Sequence, residues 1–544
     1  MMVINQPAAA PPKTAAQYVV EQLAAWGCRT IYGVAGDAIL YFLDAVAGQT
    51  EIRYINCRLE TTAALMASAE AKLTGRLAVC TATSGPGIAS LLNGLGDASQ
   101  DQAPVLAITG QVERKDIGTG VKQEINQQQL IHPMAVYSAL TADARALPVQ
   151  LNLAMKKAFS MGGVAHLAVP KEVWMEAVDA PLYPLMPARP TPAPGKSETD
   201  VAVSLLNGCS RPVILAGRGV KDAQQELLTL AEKLGAPIMT TLPARSSVPN
   251  DHRLYIGGLG QSGSDIASDL LKEADLCLIL GATWWPEDYV PKGIPIVQVD
   301  AAFENIGGTM PVTASVVGDM AKTLPPLTRG IADSNRWDWL RQVQDRKTEW
   351  KAQIEVEAHL DTRPVAPQRV VSALQRTVAP DVILTLDVGD LVLWFNRIFQ
   401  ADRQEILISG RWRTLGFGLP AAMAARLAEP NRQVVALVGD GGFGTTLADL
   451  ATAVAYELPI TIVLINNASY AMERNRMIQA GLHTLGSRPN NPDFAAMANA
   501  FGAEGVQVKT TDQLEPALRK ALVSEKVTLV DVLCDDPIVP HTKI

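Results

Sequence analysis

The sequence predicts an α/β protein made of three doubly wound parallel-sheet domains. Three observations lead there. Short apolar runs alternate with amphipathic stretches along most of the 544 residues, the pattern of strands alternating with helices in parallel sheets. A chain of this length exceeds what one hydrophobic core holds, and two segments without the alternation divide it. The composition is globular, 48% hydrophobic and 19% charged, enough to fill several cores.

Taken in order, residues 1–13, "MMVINQPAAAPPK", read as a disordered lead; they lack the charged start and apolar core of a signal peptide. The first domain, 14–180, begins with the strand "TIYGVAG" and the helix "DAILYFLDAV". It continues with "IRYIN", a helix from Glu60 to Thr74, "LAVCTA", the loop "SGPG", another helix and "VLAITG". Residues 181–200, "PLYPLMPARPTPAPGKSETD", are proline-rich and read as a linker. The middle domain, 201–330, has "PVILAG", "PIMTT", "LCLILG" and "PIVQVD" as strands. A charged helical connection follows over 331–365. The last domain, 366–544, has "VILTLDVGD", "VVALVGD", "ITIVLINN" and "TLVDVL".

Composition excludes several functions. The formal net charge is −8, from 47 basic and 55 acidic residues, and no basic run stands out, so nucleic acid and anionic membrane are poor partners. The six cysteines are dispersed and mostly inside apolar runs, which reads as reduced and buried; the six histidines are equally scattered, which argues against a zinc site. No stretch reaches the roughly 18 apolar residues that span a bilayer. A cytoplasmic protein is expected. A nicotinamide dehydrogenase is disfavoured because no GxGxxG follows any strand.

The most informative stretch is "VVALVGDGGFG", 434–444. An apolar strand ends in one carboxylate, Asp440, flanked by glycines. An Asp-Gly turn or an N-cap is the ordinary explanation. Beyond Gly444, Leu447, Leu450, Ala451 and Val454 recur at helical spacing and predict one buried face. Pro459 stops that helix, and the next strand ends in Asn466 and Asn467. Ligands of open parallel sheets bind beyond the carboxyl ends of strands. Asp440 and Asn467 supply oxygen ligands of the kind Mg²⁺ takes, and Gly441 and Gly442 at a helix start let a phosphate approach the backbone. The stretch reads as a Mg²⁺-diphosphate site.

GDG, the 24 residues 442–465 and then NN resemble the fingerprint of thiamine-diphosphate-dependent enzymes. That resemblance implies Mg²⁺ held by Asp440, Asn467 and the carbonyl of Ser469. It implies a pyrimidine-binding first domain, a diphosphate-binding last domain and a nucleotide-binding-like middle domain. "CRLETTAALMASAEAKLTG" resembles the stretch whose Glu bonds the cofactor's aminopyrimidine, here Glu60, fifteen residues before Gly75. Such a Glu should be buried among apolar neighbours, and Ala63, Ala64 and Met66 follow it. Leu59 stands where many relatives have His. "TLGFGLPAA" matches the segment that bends the cofactor, with Leu415 and Gly416 at its centre. "DVGD", with Gly389 and Asp390, matches a stretch that helps hold the diphosphate. "GVAGD", with Gly36, and "SGPG", with Ser84, match the cofactor loops of the first domain, although Ala35 replaces a frequent Pro.

The layout resembles the pyruvate oxidase and acetolactate synthase branch, with "DVGDLVLWFNRIF" and "IGTGVKQE" closest to pyruvate oxidases. That implies FAD on the middle domain, near Gly217, Gly219, Gly281 and Asp300. It also implies decarboxylation of a 2-oxo acid, the thiazolium serving as electron sink, and then flavin-linked oxidation. The alternative is a lyase or carboligase of acetolactate synthase type, with a structural flavin or none. Gln123 matches an active-site Gln, and Lys122 stands where relatives carry Phe. Glu473, Arg474 and Arg476 replace mostly apolar residues. These charges read either as surface charge on a loop or as a pocket for a 2-oxo acid more polar than pyruvate. The resemblance implies a homodimer at least, with a homotetramer as the expected assembly. No stable membrane anchor is expected, since only "CDDPIVPHTKI" follows "TLVDVL".

Overall fold

The computed structural model describes residues 13–184, 191–333 and 336–542. The expected lead thus falls outside the described residues as far as residue 12. Lys13 already belongs to a strand: Lys13–Thr14 pair antiparallel with Ala177–Val178.

Three six-stranded sheets follow, each parallel throughout. The first has β1 (Thr30–Gly33), β2 (Arg53–Asn56), β3 (Ala78–Ala82), β4 (Val105–Gln111), β5 (Ala135–Leu140) and β6 (Val164–Pro170). Their order across the sheet is β2-β1-β3-β4-β6-β5. In the middle sheet β7 (Pro212–Ala216), β8 (Ile238–Thr240), β9 (Tyr255–Gly258), β10 (Leu276–Leu280), β11 (Ile296–Asp300) and β12 (Ala314–Val317) take the order β9-β8-β7-β10-β11-β12. The third has β13 (Ile383–Leu386), β14 (Glu405–Ile408), β15 (Val434–Gly439), β16 (Thr461–Asn466), β17 (Glu504–Val508) and β18 (Thr528–Leu533), ordered β14-β13-β15-β16-β18-β17. The three α/β domains expected from the sequence are all present.

The first and third sheets share one topology, and the strand order reverses between β1 and β3 and between β13 and β15. The middle sheet has the 3-2-1-4-5-6 order of dinucleotide-binding folds, with its reversal between β7 and β10. Each reversal opens a crevice at the carboxyl ends of the strands, so topology alone marks three places for ligands.

Each sheet has its own buried core. The chain groups into two compact units. One holds the first domain with residues 409–414 and 423–428, and the other holds the middle and third domains. Of the expected linker, Lys196 onward is helical, since a helix spans Lys196–Gly208. The helical connection contains one 22-residue helix, α3 (Trp337–Ala358). All six cysteines are free; five are buried and Cys209 is half-buried. Among the described residues, no helix is long and apolar enough to cross a membrane.

Candidate active site

In the first domain, α1 (Glu60–Thr74) presents Glu60 as its first residue, at the carboxyl edge of the sheet. The helix is buried nearly all round from Thr62 to Ala71, which its alanine-rich sequence permits. It crosses α2 (Pro86–Gln100) so closely that a Cβ on Gly94 would lie 2.5 Å from that of Ala64. Ala63, Ala64 and Met66 are fully buried, whereas Glu60 is half-buried rather than enclosed. Its carboxylate faces α2: a Cβ on Gly87 would lie 3.5 Å from Glu60 Oε1.

Two loops meet beside it at the sheet's reversal. A Cβ on Gly36 would lie 2.5 Å from the Thr83 side chain, and the Thr83 hydroxyl accepts from the Ala38 N–H at 3.3 Å. Ser84 is buried. Gly85 has φ +63°, and the backbone of Gln123 occupies the space its side chain would need, with Gln123 O 2.9 Å away. Gln123 itself adopts φ +66°, a strained conformation for a residue with a side chain and of a kind that collects at functional loops. Gly36, Ser84, Glu60 and Gln123 therefore converge, while Lys122 is exposed to solvent.

In the third domain, β15 passes into helix α5 (Asp440–Thr446) with no intervening loop, and Gly439 is the N-cap residue. The glycines beside Asp440 are explained by what fills their missing side chains. A Cβ on Gly442 would lie 2.6 Å from the Asp387 carboxylate, and one on Gly441 would lie 2.5 Å from the Tyr470 ring. The helix therefore begins at Asp440 rather than beyond Gly444. Its buried face is also one residue off the expected one: Thr446, Asp449, Leu450 and Ala453 are buried, while Leu447, Ala451 and Val454 are half-buried. A 3₁₀ turn at Leu447–Asp449 winds the chain more tightly and shifts the register.

Asp387 is fully buried at the end of β13 and accepts from the N–H groups of Val388 (2.8 Å) and Gly416 (2.9 Å). It thus ties the segment carrying Leu415 to the sheet. Gly416 has φ +83° and a space occupied by the Thr445 hydroxyl, so only glycine fits. Leu415 projects outward, 38% exposed. After Gly389 (φ +124°), Asp390 opens helix α4 (Asp390–Ile398). Its carboxylate accepts from the Trp394 indole and from Asn467 Nδ2, both at 3.3 Å. Asn467 Oδ1 accepts from the Ser469 N–H at 3.1 Å, across Ala468 at φ +48°. Asp440 accepts from the Gly441 N–H at 2.9 Å and from Asn491 Nδ2 at 2.6 Å.

Burial pushes the Asp387 carboxyl up to about 6 and that of Asp390 up to about 6, and the neighbouring Asp440 charge adds to the latter. Burial raises Asp440 as well, against the hydrogen bonds that favour its charged form. Two desolvated carboxylates, Asp390 and Asp440, thus press on each other, and a cation between oxygen donors would relieve both. Ser469 Oγ is buried without a hydrogen-bond partner among the described residues. The all-oxygen donor set suits a hard divalent ion such as Mg²⁺. Asp440, Asn467 and the Ser469 carbonyl are the groups that could hold it. Asn491 has no sequence signal: it lies in the loop "SRPNNPDF", 51 residues beyond Asp440, and only folding brings it there.

In the middle domain the three glycines meet one another. Gly219 donates to the Gly281 carbonyl at 3.1 Å, and Cβ atoms on Gly217 or Gly281 would lie 2.1 and 2.6 Å from the facing backbone. The chain crossing itself requires them. Asp300 ends β11 and accepts from the Ala302 N–H (2.9 Å) and from Asn305 (3.0 Å). Of the charges after the Asn pair, Arg474 pairs with Asp536 (3.3 Å) and Arg476 with Glu473 (3.6 Å).

Three α/β domains with a crevice at each strand reversal, and buried acidic oxygen donors in the last, define an α/β protein with candidate ligand sites at its strand ends. Comparison with known proteins gives the family. Residues 13–130, 199–327 and 387–532 match the N-terminal TPP binding, central and C-terminal TPP binding domains of thiamine pyrophosphate enzymes. The Bacillus subtilis protein YdaP, whose name provisionally assigns it thiamine pyrophosphate and no reaction, is 39% identical, over 96% of this chain and 92% of its own. Acetolactate synthase isozyme 1 large subunit of Escherichia coli is 30% identical (96% and 94%), and pyruvate oxidase of Lactiplantibacillus plantarum 29% (97% and 89%). The chain belongs to the thiamine pyrophosphate enzyme family, in the branch of pyruvate oxidase and acetolactate synthase.

Proposed function

We propose that the protein is a thiamine-diphosphate- and Mg²⁺-dependent enzyme that decarboxylates a 2-oxo acid and oxidises the remaining fragment through FAD. The third-domain crevice supports the first half most strongly: desolvated Asp440 and Asp390 beside Asn467 and Ser469 form an anionic oxygen site facing a glycine-bounded helix start. When bound, thiamine diphosphate supplies the electron sink that the decarboxylation needs. Asp440, Asn467 and the Ser469 carbonyl would hold the metal ion. Gly389, Asp390, Gly441 and Gly442 would shape the space for the diphosphate, and the exposed Leu415 would support the cofactor's bent form. Glu60 would bond the aminopyrimidine, with Gly36, Ser84 and Gln123 lining that end.

Glu60 and Asp440 lie in different domains, and the half-buried state of Glu60 leaves a face for a second chain to cover. We place each complete site between the first domain of one chain and the third of its partner, which requires at least a homodimer. The 3-2-1-4-5-6 sheet and Asp300 at a strand end support FAD on the middle domain; the glycines do so less, because the chain's own crossing already demands them. Ion pairs account for Arg474 and Arg476, so the case for a polar substrate rests on Lys122.

A second reading is favoured by the near-equal similarity to acetolactate synthase and pyruvate oxidase: a carboligase or lyase in which the fragment is transferred or released. The absorption spectrum separates the two. An oxidase is yellow and is bleached by a 2-oxo acid without oxygen. Flavin bands that persist while CO₂ is released, or a colourless active protein, establish the second reading.

A further inference from the structure

We infer that Asn491 is a positioning residue for the metal carboxylate Asp440, held in its working orientation by an amide relay that starts at Asp531. The inference rests on the metal reading of Asp440 given above. Its basis is a continuous chain of side-chain hydrogen bonds that runs from three strands of the third sheet through a loop residue to the helix start at Asp440. Gln507 on β17 donates to Asp531 Oδ2 at 3.2 Å. Asp531 on β18, fully buried, accepts at Oδ1 from Asn466 Nδ2 at 2.9 Å. Asn466, at the end of β16, accepts at Oδ1 from Asn491 Nδ2 at 3.0 Å, and the same Nδ2 donates to Asp440 Oδ2 at 2.6 Å.

The direction of this relay is fixed by its ends. A carboxylate only accepts, so Asp531 forces the Asn466 amide to turn its NH₂ inward and its oxygen toward Asn491. Asn491 must then present its NH₂ to Asn466, and the second N–H of that group falls on Asp440. Inverting either amide would set oxygen against oxygen. Asp440 therefore receives a donor of fixed position on Oδ2, while Oδ1 takes the Gly441 N–H. Both carboxylate oxygens of Asp440 are thus held by donors of fixed position, and the Ala468 and Ser469 N–H groups favour its charged form as well. Groups that orient a metal ligand in this way typically govern affinity by about 10–100-fold.

The test uses the full-length protein with saturating thiamine diphosphate and Mn²⁺ as a spectroscopically visible ion, its Kd read by electron paramagnetic resonance. Asn491→Ala should raise the Mn²⁺ Kd about tenfold. Asp531→Asn, nearly isosteric and two residues removed from Asp440 along the relay, should raise it less but in the same direction, because an amide at 531 lets Asn466 invert. Asn491→Asp should lower the melting temperature without metal more than Asn491→Ala does, and Mn²⁺ should restore more of it, since the new charge faces Asp440. A wild-type Kd in both Asn491→Ala and Asp531→Asn, with Asp440→Ala failing to bind, would overturn the relay and leave the metal site standing. Wild-type binding by Asp440→Ala would remove the metal reading itself, and the relay with it.

Discussion

The first and third domains have the same strand order and the same crevice between their first and third strands, yet the two crevices differ in charge. In the first, the chain brings together Gly36, Thr83, Ser84, Gln123 and a single carboxylate, Glu60. The buried acids of the first domain are engaged elsewhere: Glu70 is bonded by Tyr32 at 2.8 Å, and Asp97 and Asp101 pair with Lys72. In the third, Asp387, Asp390 and Asp440 are all buried at the strand ends. Topology decides where a ligand lies, and a few side chains decide what it is. In the proposed function the one-carboxylate crevice takes a ring bonded by its acid, and the more acidic one takes a cation and the phosphates it carries.

Substitutions at the two crevices should separate these roles. Glu60→Gln should leave cofactor affinity unchanged and cut turnover by about 10²–10⁴-fold, the usual scale of a lost acid–base group. Comparing kcat with the calorimetric affinity checks this, and weakened binding with unchanged kcat would break the comparison. Asp440→Ala should do the reverse at the first step, abolishing tight Mg²⁺-dependent binding of thiamine diphosphate while the fold melts normally; unchanged affinity would remove Asp440 from the site.

The glycines give a smaller and sharper contrast. Gly442→Ala drives a methyl into the Asp387 carboxylate and should cost about 1–3 kcal/mol. Gly444→Ala, two residues on, meets nothing within 4 Å and should be neutral or slightly stabilising, because alanine restricts the unfolded chain. Denaturant unfolding compares the two; equal effects would mean that Gly442 has no packing role.

An effect of similar size, but dependent on pH, concerns the buried Glu70. Burial lifts Glu70 from 4.5 to about 7. Its folded form binds more protons than its unfolded form between those values, so its contribution to stability is present below about 4.5 and is lost as pH rises through about 7. Glu70→Gln should flatten that slope and leave the variant about 1–3 kcal/mol more stable than the parent at pH 8. An unchanged melting profile from pH 5 to 8 would show that Glu70 is ionised without penalty.

Much of this contrast was legible in the sequence. Long apolar strands ending in Asp440 or Asn467 carry their own signal, and α1 runs over the residues expected, Glu60 to Thr74. Edge and interrupted strands do not. β5 is half-buried throughout, β17 mixes polar with apolar residues, and β6 contains His166, which burial keeps neutral by lowering its pKa to about 3 while Thr109 and Ser138 satisfy its nitrogens. The face of the helix after Asp440 was misplaced by one residue because a 3₁₀ turn leaves no mark in hydrophobic spacing. Asn491 escaped because its role depends on the loop's path, and a polar loop residue has no periodicity to betray it. The glycines at 441 and 442 announced close approach, but only the fold shows that Tyr470 and Asp387 are what approach.

The central proposal is that the Glu60 crevice of one chain and the Asp440 crevice of another make one site. Mixing Glu60→Gln with Asp440→Ala protein under conditions of subunit exchange tests it most directly. Each variant alone should be inactive. Random exchange makes half the dimers mixed, and each mixed two-fold dimer has one site with both native residues, so about a quarter of wild-type activity should return. Exchange demonstrated by mass spectrometry with no recovered activity would contradict the shared site.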